Sequence, residues 1–214
     1  MEKTQNNTIP LIANLEDLTS KEKRDLISER GFAGNIDQLN WEEFSYKPTT
    51  RFNLAHNGQY LYLLFNVDEK NVRATYVNDN DSVWEDSCVE AFISKEIGGE
   101  YFNFEFSCIG TALAGVGKHR SDRVRMDQSK TSLIKREASL GKEIIGKENV
   151  DAQWWLLAQI PLVMVKVEKG QTIYCNFYKC GDKTKHPHFV SWKPIDTPSP
   201  DFHQPKFFGE LKLQ

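Results

Sequence analysis

Cys88-Val89-Glu90-Ala91-Phe92-Ile93-Ser94 is followed, after Lys95–Glu100, by Tyr101-Phe102-Asn103-Phe104-Glu105-Phe106-Ser107-Cys108-Ile109. Side chains of a β-strand alternate between two faces, so Phe102, Phe104 and Phe106 share one face and Asn103 with Glu105 the other. In the first run Val89, Ala91 and Ile93 are apolar, which leaves Cys88, Glu90 and Phe92 opposite. If the intervening residues form a simple hairpin loop, the apolar sets coincide only when Glu90 falls beside Glu105 and Phe92 beside Asn103. Two carboxylates so placed, about 5 Å apart at Cβ, repel one another. They ask for a counter-charge, a metal, a shared proton or a ligand rich in hydroxyls. The same register sets Cys88 and Cys108 on different faces and so predicts no disulfide between them.

Outward from this pair, short runs rich in aromatic and β-branched residues are bounded by Gly, Asn, Asp and Pro. They predict strands at 52–56, 60–67, 88–94, 101–109, 132–138, 143–147, 153–161, 172–180, 188–192 and 207–213. Asn57-Gly58 marks a two-residue hairpin, because both positions accept positive φ. Thr19 and Glu22 form a capping-box pattern that opens one helix, and Gly31 closes it. Many strands at short spacing with one short N-terminal helix predict an all-β fold: a β-sandwich of antiparallel sheets, jelly-roll-like or immunoglobulin-like. No repeat, low-complexity tract or linker divides residues 1–214, so a single domain is expected. Run 172–180 repeats the alternation, with Ile173, Cys175 and Phe177 on one face and Tyr174, Asn176 and Tyr178 on the other. A sheet face carrying Glu, Asn, Tyr and Phe together suits a polyol-binding floor.

Composition narrows the function classes. The 214 residues hold 27 basic and 30 acidic side chains, a net charge of −3, and 12% aromatics. That balance argues against a nucleic-acid partner, which calls for a basic surplus on one face. No apolar run approaches the ~20 residues of a bilayer-spanning helix, so no membrane partner is expected. The amino end shows no secretory signal pattern, which gives a cytoplasmic expectation for the chain as written, extracytoplasmic if a leader has been removed. Four scattered cysteines (Cys88, Cys108, Cys175 and Cys180) are expected as buried, inert thiols.

The most distinctive segment is Asn78-Asp79-Asn80-Asp81-Ser82-Val83-Trp84-Glu85-Asp86-Ser87-Cys88-Val89-Glu90-Ala91-Phe92-Ile93. It resembles the N-D-x-x-x-W-E-D-D-x-V-E-x-F motif of the family 9 carbohydrate-binding modules. The strand from Tyr101 to Ser107, with Gly110, is similar to that family's Y-x-x-F-x-x-N-x-x-G stretch. The block from Phe189 through Trp192 to Leu213 is similar to its closing W…P-x-x-F-G-x-L-x-L. The three matches keep their order over residues 41–213. The resemblance implies a β-sandwich that holds a sugar between two tryptophans, often with structural calcium nearby. It places Trp84 and Trp192 at that clamp and gives Glu90 the acid that hydrogen-bonds sugar hydroxyls. Asn103, Glu105, Asn176 and Tyr178 join the candidate site from strand parity alone. The chain departs from the family at Asn103, where an arginine is common, with Tyr178 or Lys179 the nearest substitute.

The expected function is non-catalytic binding of an oligosaccharide or polysaccharide. The first rival is a glycoside hydrolase, xylanase-like and acting in carbohydrate catabolism, because retaining enzymes set two carboxylates ~5–5.5 Å apart. Against it, two acids in one sheet environment offer no reason for split pKa values. A haem-binding redox module is the third reading, with His56, His119, His186, His188, His203, Met126 and Met164 as the available ligand types. Calcium is the candidate cofactor, from Asp79, Asp81, Glu85 and Asp86, although these lack EF-hand spacing. Trp41, Trp154 and Trp155 read as core. The basic run from Lys118 to Arg125 reads as a solvated loop that could also meet an acidic sugar or a partner.

Overall fold

The computed structural model describes residues 7–146 and 150–214. In chain order its elements are β1 (Thr8–Ile9), α1 (Ser20–Arg30), β2 (Phe32–Asn35), β3 (Gln38–Leu39), β4 (Thr49–His56), β5 (Tyr60–Glu69) and β6 (Cys88–Ser94). There follow β7 (Tyr101–Ser107), β8 (Ala112–Gly117), β9 (Val124–Arg125), α2 (Gln128–Thr131) and β10 (Lys135–Ala138). The last are β11 (Ala152–Pro161), β12 (Thr172–Cys180), β13 (Phe189–Ser191) and β14 (Gly209–Leu213). One sheet runs β1-β14-β12-β6-β7-β8-β9, with β13 and β3 continuing from β12, and the other runs β10-β11-β5-β4-β2. Every pairing is antiparallel except β1 with β14.

The expected β-sandwich is therefore present, and alternation explains why it closes. Val89, Ala91, Ile93, Phe102, Phe104 and Phe106 meet Phe52, Leu54, Leu63 and Phe65 of the facing sheet in one buried cluster. Phe52 and Phe177 touch across the gap with ring centroids 4.3 Å apart. Each such ring contributes about 1.5–3 kcal/mol by leaving water. The register is the expected one: Glu90 pairs with Glu105 and Phe92 with Asn103. Helix α1 opens on the expected capping box, with Thr19 Oγ1 accepting from the Glu22 N–H and Glu22 accepting from the Thr19 N–H. It lays Ile27 against Tyr62, Leu64 and Leu157 on the outer face of the smaller sheet. Trp41 and Trp154 are core, as expected, whereas Trp155 lies half-buried on that outer face, the Arg24 guanidinium 3.7 Å from its ring centroid.

The predicted strands at 132–138 and 143–147 are shorter in the structure. The first is reduced to β10, and at 143–146 there is a single bridge, Ile145 to Ala74. Lys147 lies outside the described residues. Strands β1, β2, β3, β8 and β9 go beyond the sequence reading. The first three and β9 are too short for a periodicity to show, and β8 (ALAGVG) has no polar alternation to detect.

Alternation also points Lys179 inward between the sheets, where a bare ammonium would be costly. Glu69 answers it at 3.0 Å, and His188 Nε2 accepts a second Lys179 hydrogen bond at 2.9 Å. Glu69 also accepts from Ser87 Oγ and Trp154 Nε1. Burial, and then the Lys179 charge, hold the His188 pKa well below its usual value, so this imidazole stays neutral. Lys179 is thus a core residue and no substitute for a cleft arginine.

Candidate functional site

On the outer face of the larger sheet, Tyr178, Glu90, Glu105 and Leu113 form one row across β12, β6, β7 and β8. Both glutamates are buried, at 3% and 2% exposure. Glu105 Oε1 accepts from Arg123 Nη1 and from Asn103 Nδ2, each at 2.9 Å, while Glu105 Oε2 has no partner among the described residues. Glu90 Oε1 accepts from the Cys180 thiol at 3.1 Å. Burial, and then the neighbouring Glu105 charge, drive the Glu90 pKa well above the carboxylate range. Burial also leaves the Glu105 pKa raised, with Arg123 offsetting part of that rise. Glu90 therefore keeps its proton while Glu105 faces a fixed cation.

Arg123 reaches this spot because β8 carries glycines. A Cβ on Gly115 would stand 2.7 Å from Asn103 Oδ1 and 3.0 Å from the Arg123 side chain. One on Gly117 would stand 2.8 Å from the Arg123 Cα. Without side chains at these positions, the loop before β9 folds over the sheet and lays the guanidinium beside Glu105. An arginine beside Glu105 thus comes from the basic run and not from the strand at Asn103, while Lys118, His119, Arg120 and Arg125 of the same run stand exposed. No local periodicity announces this, and the two glycines are the available signal.

The glutamates floor a small cleft of about 90 Å³, below the ~300–1,000 Å³ of pockets that enclose a drug-sized ligand. Trp84, Arg123, His203, Phe189 and Phe202 stand around it, with Asp182 and Arg120 at the mouth. Trp84 occupies a single 3-10 turn, Val83–Glu85, whose flanking acids fasten it. Asp86 is fully buried, paired with Arg73, and accepts from the Thr75 and Tyr76 N–H groups at 2.7 and 3.0 Å. Glu85 pairs with Lys183 at 2.9 Å and accepts from the Tyr76 hydroxyl. His203 Nδ1 lies 2.7 Å from the Tyr101 hydroxyl, and burial with the Arg123 charge holds its pKa down to about 3.

The structure gathers Trp84, Glu90 and Glu105 at this cleft, with Asn103 bonded beneath them. It does not bring Trp192 there. Strand β13 alternates too: Val190 joins the cluster between the sheets, and the Trp192 ring packs against Phe52 and Phe177 on the same side, with 5.6 Å between centroids in each case. Phe189, one register step away, is the residue of β13 that meets the cleft. Asn176 spends its amide on the chain: Oδ1 accepts from the Lys193 and Phe177 N–H groups and Nδ2 donates to the Lys193 carbonyl. Tyr178 is buried, stacks on Phe202 at 4.2 Å and donates to the Phe202 carbonyl, so it supports a cleft wall from behind.

The acids proposed for calcium do not fit one. Both Asp79 oxygens are taken by Arg136, at 2.8 and 2.9 Å, and Oδ1 also accepts from the Ala112 N–H. Burial alone would raise the Asp79 pKa, but these bonds outweigh it and leave the carboxyl lowered. Asp86 is occupied by Arg73 and two backbone amides, Glu85 by Lys183, and Asp81 accepts from the Asn78 backbone and side-chain amides. Arg136, Arg73 and Lys183 thus stand where a cation shared by Asp79, Asp86 and Glu85 would have to sit.

Residues 22–213 match the family described as carbohydrate-binding family 9. A structure from Bacteroides uniformis ATCC 8492, described as a candidate carbohydrate-binding protein, is 35% identical over 97% of each chain, with a TM-score of 0.89. A family 9 carbohydrate-binding module from Caldicellulosiruptor kristjanssonii in complex with glucose is 13% identical, covering 89% of this chain and 87% of that one, with a TM-score of 0.54. No curated protein matches the chain.

Proposed function

The chain belongs to carbohydrate-binding family 9, and we propose that it binds an oligosaccharide non-covalently at the Trp84 cleft. The observation that carries this reading is the pairing of Glu90 with Glu105 at the cleft floor beside Arg123, with Glu105 Oε2 left without a partner among the described residues. A protonated Glu90 can donate and accept, Glu105 accepts, and Arg123 donates. A sugar hydroxyl, itself both donor and acceptor, matches such a mixed set. Trp84 offers its aromatic plane to the C–H face of a pyranose, with Phe189 and Phe202 continuing the apolar wall. Asn103 acts by fixing Glu105.

Hydrogen bonds to a charged group contribute about 1.5–3 kcal/mol, so Glu105→Gln weakens binding by roughly 10–100-fold. Calorimetric titration with a panel of oligosaccharides, beside Trp84→Ala, checks this. Saturable heat lost in both variants, with native near-ultraviolet circular dichroism, supports the site. No heat from any glycan overturns it.

One observation favours hydrolysis as a second reading. Arg123 biases Glu105 toward its charged form while Glu90 is held protonated, which supplies the split that a nucleophile and an acid require. Both carboxylates rise from the same floor, however, whereas a glycosidase pair flanks the scissile bond. Release of reducing ends from a glycan that binds would decide for hydrolysis.

A further inference from the structure

Cys88 and Cys180 stand directly opposite one another on β6 and β12, and both point out of the intersheet core toward the Trp84 cleft. Glu90, two residues along β6, shares that face. The two sulfurs and a Glu90 carboxylate oxygen all lie within 4.8 Å of one another, and Cys180 Sγ is 3.1 Å from Glu90 Oε1. From these positions we propose that Cys88, Cys180 and Glu90 form a binding site for a thiophilic divalent cation of the zinc class, open to the cleft at its fourth position.

The spacing fits. Zinc sits ~2.3 Å from thiolate sulfur and ~2.0–2.2 Å from carboxylate oxygen in tetrahedral sites, which sets ligand atoms roughly 3.4–3.8 Å apart. With every pair of ligand atoms within 4.8 Å and Cys180 Sγ 3.1 Å from Glu90 Oε1, that separation lies within about 1 Å of the present positions. Two sulfurs select a soft or borderline metal over calcium or magnesium. There is an entry path, since Cys180 and Glu90 line the cleft. The adjacent Glu105 Oε2 has no partner among the described residues. The other two thiols, Cys108 and Cys175, face the core between the sheets and lie outside this cluster.

Without metal, burial raises Cys88 to about 12 and Cys180 well above its ordinary value, so both are thiols, and Glu90 holds its proton as well. Uptake of one M²⁺ then forms two M–S bonds and one M–O bond and releases three protons, one from each ligand, leaving the metal with its three ligands at net charge −1. No electron changes hands. The proposal does not depend on sugar binding, because the ligands and the cleft serve a cation whether or not a glycan enters.

The full chain, kept reduced with a phosphine and stripped with a chelator, is titrated with Zn²⁺ in buffers of different ionisation enthalpy, and separately with Cd²⁺. One equivalent is expected, with proton release and a near-ultraviolet thiolate-to-cadmium charge-transfer band that needs no variant to be read. Cys88→Ala and Cys180→Ala should weaken uptake by at least ~10-fold, the loss that even a supporting residue of a metal site produces. Cys108→Ala and Cys175→Ala should retain it. Absence of the cadmium band in the natively folded reduced chain overturns the proposal. So does uptake undiminished in the Cys88→Ala/Cys180→Ala double variant. Conversion of the two thiols to a disulfide under mild oxidant, together with no metal uptake by the reduced form, replaces the metal site with a redox pair. Loss of sugar binding with the band intact would sink only the glycan reading.

Discussion

Arg123 gives one guanidinium nitrogen to a carboxylate that is 3% exposed at its side chain, while itself remaining 12% exposed. A buried carboxylate left alone pays for its desolvation either by losing stability or by taking up a proton. Arg123→Ala at pH 7 is therefore expected to cost about 2 kcal/mol, near the 1–3 kcal/mol of an unsatisfied buried group, and not the ~3–5 kcal/mol of a broken ion pair that cannot neutralise. The sign with pH follows from the same exchange. Arg123 lowers the Glu105 pKa, so its contribution exists while Glu105 is charged and fades as pH falls through the Glu105 pKa. Because burial leaves the Glu105 pKa raised even beside Arg123, urea midpoints of wild type and Arg123→Ala should converge already above the ordinary carboxylate range as pH falls; a gap that stays constant would mean that Arg123 acts only through packing. At this scale the sequence is half legible. Period-two alternation is enough to set Glu90 beside Glu105, because a one-residue slip would bury polar groups and expose three phenylalanines. Arg123 could not be read the same way, since its placement depends on the empty space above Gly115 and Gly117, which becomes visible only when β7 and β8 are paired.

Strand β13 shows how much a single register step decides. With three residues it carries little pattern of its own, yet it pairs with β12 through Tyr178–Ser191 and Cys180–Phe189, and that pairing sends Phe189 to the cleft and Trp192 to the core. Trp192 has packing partners in Phe32, Phe52 and Phe177, and a Cβ at Gly209 would stand 3.0 Å from its ring. Trp192→Ala should accordingly cost about 3 kcal/mol of stability, at the low end of aromatic-to-alanine changes because the ring is partly exposed, and leave glycan affinity within about two-fold of wild type. Phe189→Ala should do the reverse, weakening affinity by roughly 10-fold or more with a smaller loss of stability. Thermal melts and calorimetry on the two variants separate these outcomes; lost affinity in a folded Trp192→Ala protein would put that ring back at the sugar. Elements with a clear alternation or a hairpin dipeptide were readable from the chain, although the turn between β4 and β5 is centred one residue later than Asn57-Gly58: Gly58-Gln59 form it, only Gly58 takes positive φ, and Asn57 Oδ1 accepts from the Gln59 and Tyr60 N–H groups. Two-residue edge strands were not readable, because their pairing is imposed by neighbours that are distant in sequence.

Over the whole molecule, three histidines that the fold keeps neutral contribute to acid sensitivity. His188 lies beside Lys179 in the core, His56 is buried, and His203 stands against Tyr101 at the cleft. All three have lowered pKa values, burial being the first cause in each, and His203 is held at about 3. A base with a lowered folded pKa stays neutral in the fold while the unfolded chain takes up a proton near the ordinary value of about 6.5. The corresponding stability is complete above that pH and is lost progressively as pH falls from there toward the folded value. Glu90, with a raised folded pKa, acts in the opposite sense over part of the same range, so the total curve mixes both signs and a variant is needed to isolate one. His203 is the best placed, since the charged groups facing it are Arg123 and Arg120, which oppose protonation, and Asp201, which favours it. His203→Gln removes the titration but also the ring that stacks near Phe92 and bonds the Tyr101 hydroxyl, so it should be less stable than wild type at pH 7. Because glutamine does not titrate, that deficit should shrink steadily between about pH 7 and pH 5. Urea unfolding of the two proteins at each pH measures it directly: a deficit that stays constant or grows on acidification would mean that the His203 imidazole already carries its proton in the fold, and that Arg123 does not dominate the cleft's electrostatics.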